Sequence, residues 1–168
     1  AGGNAFDAAV AAGFAGAVAE SGPTSLGGGG FLLARTSGNN GKSEEILFDF
    51  FVDTPGLGLD NTELEPHFFP VTVHFSGSDQ DFNVGLGSVA VPENLKGYLH
   101  VHRRLGQLPL KEILKPAIRL AREGLEINTS QSCFYSLLKP ILTLTEAGRK
   151  LYAPDGRYLV HGDRISNT

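Results

Sequence analysis

The sequence predicts an α/β (α+β) fold of the layered-sandwich kind, and three features carry that prediction. Residues 5–19 are mostly Ala, Gly and Val behind Asn4, which reads as a capped helix thin enough to lie close against another element, a sheet by preference. Gly27 to Gly30 then lead into the apolar run Phe31-Leu32-Leu33-Ala34. A second apolar run at 45–51 follows Ser37-Gly38-Asn39-Asn40-Gly41-Lys42, whose turn-forming residues make 31–36 and 45–51 an antiparallel hairpin. Helical spacing returns after residue 92, and a hairpin mixed with helices argues against a doubly wound nucleotide fold.

Each element has its own reason. Asn4 can accept from the unpaired N–H groups of the first helical turn, and Asp7, three positions on, sets its charge at the positive end of the dipole. Gly27–Gly30 permits either positive φ or close approach of another backbone. Residues 52–80 hold Pro55, Pro66 and Pro70 and read as a long irregular excursion, with a short strand between His67 and Phe75. Phe82–Val91 reads as a third main strand, ended by Pro92, which is suited to the first position of a helix running to about Leu105. On that helix Leu95, Tyr98, Leu99, His102 and Leu105 share a face, and Gly106 suits the position after its end. Pro116 separates helices at 109–114 and 116–123, because a proline inside a helix forfeits a backbone bond. A helical stretch at 129–147 is expected to kink at Pro140, and the tail from Leu151 is turn-rich around Asp155-Gly156-Arg157. With no repeat, linker or low-complexity tract, residues 1–168 are expected to form one partial domain.

Bulk properties exclude several classes. A net charge of −4 and a pI near 5.7 argue against a nucleic-acid binder. No apolar run approaches the ~20 residues of a membrane span. The single cysteine, Cys133, excludes an internal disulfide and is expected to be a half-buried helix residue. The chain begins inside a motif, contains no Met and stops at Ser166-Asn167-Thr168, so it is expected to be a piece of a longer polypeptide.

Few residues suggest chemistry by themselves. A phosphate loop needs Lys and Ser/Thr after its glycines, whereas Gly30 is followed by Phe31-Leu32-Leu33, so close backbone packing is the expected use of the glycines. His100 and His102 lie about 200° apart around a helix and cannot share a metal from one face. His67, His74 and His161 lack carboxylates at ligand spacing, and no metal or cofactor is expected. Asp49, Asp53, Asp79 and Asp81 form no evident acid/base pair, and Arg103, Arg104, Arg119 and Arg122 read as solvated helix faces.

Five ordered segments carry a resemblance. They are Gly2-Gly3-Asn4-Ala5-Phe6-Asp7-Ala8-Ala9-Val10 with Ser25–Leu33, Phe48-Asp49-Phe50 with Thr54-Pro55, Gly87-Ser88-Val89-Ala90-Val91-Pro92 with Leu95-Lys96-Gly97, Leu108-Pro109-Leu110 with Pro116–Gly124, and Asp155-Gly156 with Gly162-Asp163. Together they resemble the N-terminal part of the large subunit of the gamma-glutamyltranspeptidase family, a branch of the N-terminal-nucleophile hydrolases. The resemblance implies a four-layer αββα sandwich and acyl transfer from a gamma-glutamyl amide such as glutathione to water or an amino-acid or peptide acceptor. It implies that the nucleophile is an N-terminal threonine, freed by self-cleavage, whose α-amino group serves as base. That threonine would open the small subunit downstream; Thr168 does not match its context, so no catalytic residue is expected in this chain. The expected partners are the rest of the large subunit, the small subunit and a small-molecule acyl donor. Members of the family are often exported, but no residues here show a leader. The resemblance also implies one substrate-binding position. Where the family has D-F-R-E-x-A-P, with an arginine that clamps a carboxylate bidentately, this chain has Asp49-Phe50-Phe51-Val52-Asp53. Phe51 is therefore a change in donor recognition, as in the related cephalosporin acylases, a core residue on a buried strand, or both at once. A catalytically silent homologue is a third possibility.

Overall fold

The computed structural model describes residues 2–38, 41–60, 65 and 67–167; Asn39, Asn40, Pro66 and Thr168, which entered the readings above, lie outside them. The chain divides into two compact units, Ala1–Thr54 with Ala90–Ile118 and Pro55–Val89 with Arg119–Thr168.

In the first unit, helix α1 (Ala5–Ala19) starts as its sequence predicts. Asn4 Oδ1 accepts from the N–H groups of Phe6 (3.0 Å) and Asp7 (2.9 Å), and the Asp7 carboxylate accepts from Asn4 N–H at 2.9 Å. The thin surface of α1 is used against a helix as well as a sheet: a Cβ on Gly13 would stand 2.8 Å from the ring of Tyr98 on α2 (Asn94–Leu105). Strands β1 (Gly30–Ser37) and β2 (Ser43–Phe50) form the expected antiparallel hairpin, in register from Gly30 opposite Phe50 to Ser37 opposite Ser43. Alternation sends Ala34, Phe48 and Phe50 into a core with Val10, Phe14 and Val101, while Phe31, Leu33 and Leu47 face away and are exposed.

Helix α2 begins two residues after the expected Pro92, and its buried centre is Asn94, Gly97 and Val101, with Leu95 left exposed. Gly106 ends it in an ordinary conformation (φ −72°) rather than a left-handed one. Glycine is needed there for space: a Cβ would stand 2.6 Å from the His102 ring and 3.0 Å from Asp7. Helix α3 (Leu110–Glu123) runs unbroken through Pro116, contrary to the two-helix expectation. The proline forfeits only its own bond, and the burial of Ile113 and Ala117 on either side of it holds the helix.

The second unit departs further from expectation. The expected short strand between His67 and Phe75 is β3 (Phe69–Phe75), but instead of one strand over 82–91 it is followed by β4 (Ser78–Val84), with which it forms a hairpin that buries Val73 fully. Gly85, at φ 129°, ends β4 in a conformation that side chains other than glycine's resist, and a 3₁₀ turn over Leu86–Ser88 follows. The stretch expected to kink at Pro140 is three helices, α4 (Thr129–Leu137), α5 (Lys139–Leu142) and α6 (Glu146–Tyr152). Asn128 caps α4, Thr145 caps α6, and Pro140 sits in the first turn of α5, where no bond is lost. Cys133 on α4 is exposed, not half-buried. Short strands β5 (Leu125–Glu126) and β6 (Arg164–Ile165) pair beside a core of Ile127, Tyr135, Tyr152, Leu159 and Ile165. Among the described residues no helix is long and apolar enough to cross a membrane.

Candidate functional site

The glycine run explains how the site is held. None of Gly27–Gly30 has positive φ, so conformational freedom is not their use. A Cβ on Gly29 would stand 2.5 Å from Val52 N, 2.8 Å from Phe50 O and 2.9 Å from the Phe51 carbonyl carbon. Gly29 is therefore the seat on which the segment leaving β2 rests. Gly28 O accepts from Glu93 N–H (3.1 Å) and Asn94 N–H (2.9 Å) at the start of α2. The buried Asn94 side chain donates to Ser25 O at 2.7 Å, and Val91 N–H donates to Asp53 O at 2.8 Å. Backbone contacts thus bring together residues 25–30, 50–53 and 91–94.

Beside these contacts is an open cleft of about 540 Å³ lined by Phe31, Asp49, Phe50, Phe51, Val52, Asp53, Glu93 and Lys96. Phe51 is 55% exposed and lies outside the buried cluster of this chain; β2 ends at Phe50, and Ile46, Phe48 and Phe50 are its residues that pack on that cluster. Its N–H donates to Asp49 Oδ1 at 3.1 Å. Its ring stacks on Phe31, with centroids 5.4 Å apart and planes 9° from parallel. The register explains the pair: Phe31 lies opposite Asp49, which makes Phe51 its diagonal cross-strand neighbour. No arginine lines this cleft. Arg35 is further along β1 and donates to Ser43 Oγ at 3.2 Å. The cation present is Lys96, whose Nζ lies 3.2 Å from the Glu93 carboxylate. Arg103 and Arg104 are exposed, as expected, and line an adjacent cleft; Arg104 lies over the Phe48 ring at 5.6 Å.

The remaining candidates have other roles. His100 sets its ring edge-on to Phe48, while His102 Nε2 lies 2.8 Å from Leu108 O and 3.9 Å from Asp7 Oδ1, so the two histidines do not converge. His74 and Asp79, opposite each other in the β3–β4 register, pair at 2.8 Å, a contact the sequence reading missed along with the hairpin. Thr72 Oγ1 donates to Asp81 at 2.6 Å on the same exposed hairpin. Among the described residues no group of three or more His, Cys, Asp or Glu could hold a metal. Asp7 does more than cap α1: it also accepts from Gln107 N–H (3.0 Å) and Leu108 N–H (3.3 Å). Burial pushes its carboxyl up, but the N–H groups of Asn4, Gln107 and Leu108, with His102, outweigh burial and hold it below the usual range. Arg157 forms a two-pronged pair with Asp163 (2.8 and 2.9 Å), and with the Val160 N–H it holds the Asp163 carboxyl down to about 2.

The cleft offers flat apolar surface, carboxylates and one paired amine, and among the described residues none of its lining side chains is a Ser, Thr, Cys or His. The fold around it is that of the N-terminal-nucleophile hydrolases, the αββα class, of which this chain supplies a part. It matches the crystal structure of Helicobacter pylori gamma-glutamyltranspeptidase with a TM-score of 0.73 and 26% identity, covering 99% of this chain and 45% of that one. The chain belongs to the gamma-glutamyltranspeptidase family, whose model matches residues 1–168. It is 30% identical over 168 residues to glutathione hydrolase proenzyme 1 of Schizosaccharomyces pombe, covering 98% of this chain and 24% of that protein. It is 37% identical over 124 residues to the acylase ACY 1 proenzyme of Pseudomonas sp. (strain V22), covering 74% of this chain and 21% of that protein. The chain thus spans about a quarter of the length of the curated relatives it matches.

Proposed function

We propose that this chain is the N-terminal part of the large subunit of an acyltransferase or amide hydrolase, and that it contributes one wall of the acyl-donor site. In this reading a threonine downstream, released by self-cleavage, attacks the donor carbonyl with its hydroxyl oxygen while its own α-amino group takes the proton. The amine leaves, and water or an amino-acid or peptide acceptor takes the acyl group. The proenzyme names of the relatives support a division into large and small subunits. The observation that carries the donor reading is Phe51, more than half exposed in the cleft and stacked on Phe31. A phenyl ring cannot replace the bidentate hydrogen bonds of an arginine to a carboxylate. In this reading the donor is an amide whose acyl group is not held through a carboxylate at this position, a donor nearer those of an acylase than of a glutathione hydrolase.

A second reading rests on Lys96, the cation lining the same cleft. Turned from Glu93 toward a donor, it would hold the carboxylate of a gamma-glutamyl group as a point charge. A donor screen on the full-length, self-processed protein separates the two. Faster turnover of an apolar acyl amide than of gamma-glutamyl-p-nitroanilide supports the first. Preference for the gamma-glutamyl donor, lost in Lys96→Ala, supports the second. Absence of both self-cleavage and turnover would leave a silent homologue. The 168-residue chain alone is expected to hydrolyse neither donor, and measurable hydrolysis by it would contradict a downstream nucleophile.

A further inference from the structure

We infer that Phe31 is a second specificity-determining residue, which with Phe51 forms a preformed two-ring wall selecting acyl groups that carry a planar aromatic ring. The inference rests on the acyl-donor reading of the cleft and deepens it. Phe31 is 59% exposed although it sits on a paired strand, because alternation turns it away from the Phe48–Phe50 core. The backbone that carries both rings is fixed before any ligand arrives. Phe31 is flanked by the ladder pairs Gly30–Phe50 and Leu32–Phe48, and Phe51 is held by its N–H bond to Asp49 and by the seat at Gly29. Their 5.4 Å spacing and near-parallel planes leave no room for a ring between them, so a ligand ring stacks on an outer face of the pair. A flat, rigid face favours a flat partner over a flexible chain, which loses more rotamer freedom when it is ordered. The charges beside the wall point the same way. Asp49, Asp53 and Glu93 outnumber Lys96, so the cleft disfavours an anionic acyl group and tolerates an uncharged ring.

The test uses the full-length, self-processed protein with 4-phenylbutanoyl- and hexanoyl-p-nitroanilide. Phe31→Leu keeps an apolar side chain but removes the ring, and Phe31→Tyr keeps the ring. Loss of one aromatic stacking contact should raise KM for the phenylbutanoyl donor about 3- to 10-fold in Phe31→Leu. KM for the hexanoyl donor should rise less, so that the ratio of the two KM values shifts, and Phe31→Tyr should retain the wild-type ratio. Self-cleavage into two subunits checks that each variant folds. If both apolar amides are turned over and Phe31→Leu leaves their KM ratio unchanged, the inference is overturned while the donor reading stands. If only gamma-glutamyl-p-nitroanilide is turned over, the donor reading falls and the inference with it.

Discussion

Replacing Gly29 with Ala tests whether the glycine run exists to seat the segment that carries Phe51. The position has no left-handed φ, so its backbone accepts Ala and the whole cost is steric. The new methyl would meet Val52 N at 2.5 Å, Phe50 O at 2.8 Å and the Phe51 carbonyl carbon at 2.9 Å, whereas ordinary contact begins at 3.4 Å. All three are backbone atoms and cannot rotate away, so the 50–52 segment must shift. Overpacking against rigid surroundings costs about 1–3 kcal/mol. Gly27→Ala is the matched control: its Cβ would find only Ser25 Oγ, at 3.4 Å, and its effect should stay within about 0.5 kcal/mol. The assay is urea unfolding of the full-length protein followed by far-UV circular dichroism, paired with KM for the preferred donor. Gly29→Ala should lower stability and raise KM; if it matches Gly27→Ala in both, the seat is not what the glycines provide.

Further predictions follow from packing and charge. Phe14→Ala empties a buried site edge-on to Tyr98 and should cost about 3–5 kcal/mol in the same unfolding assay; a loss under 1 kcal/mol would contradict the close packing of α1 on α2. The Asp163 carboxyl, held down to about 2 against an ordinary 3.8, adds stability that is fully present above the ordinary value and is lost as pH falls toward 2. NMR titration should show that low midpoint and its return toward the usual carboxylate range in Arg157→Ala; an unmoved midpoint would refute the pairing.

The parts of the fold legible in the sequence are those where one local signal decides the structure. Asn4 and Asp7 fix the start of α1, and two apolar runs around a Gly/Asn turn fix the β1–β2 hairpin. The β3–β4 hairpin was legible only in β3, because β4 opens with the polar run Ser78-Asp79-Gln80-Asp81 and has no buried residue. The Ser76-Gly77 dipeptide was its only turn signal. Pro116 misled because propensity speaks for a residue, whereas the apolar face of α3 speaks for the whole helix. Within the site, Phe51 stands out by its place in a motif, whereas its outward direction follows from strand parity with Phe48 and Phe50, which the motif does not show. Phe31 was not found, because its partnership with Phe51 depends on strand register. The roles of Gly29 and Asp7 likewise depend on neighbours brought close only by the fold.

The central claim is that Phe51 stands where a donor carboxylate would otherwise be clamped. Measuring kcat/KM for gamma-glutamyl-p-nitroanilide and for an apolar acyl amide, in the full-length protein and its Phe51→Arg variant, tests it most directly. A restored bidentate contact of about 2–3 kcal/mol should raise the gamma-glutamyl to apolar ratio roughly 30- to 100-fold, chiefly through a lower KM for the gamma-glutamyl donor. An unchanged ratio, or a higher KM for the gamma-glutamyl donor, would contradict it.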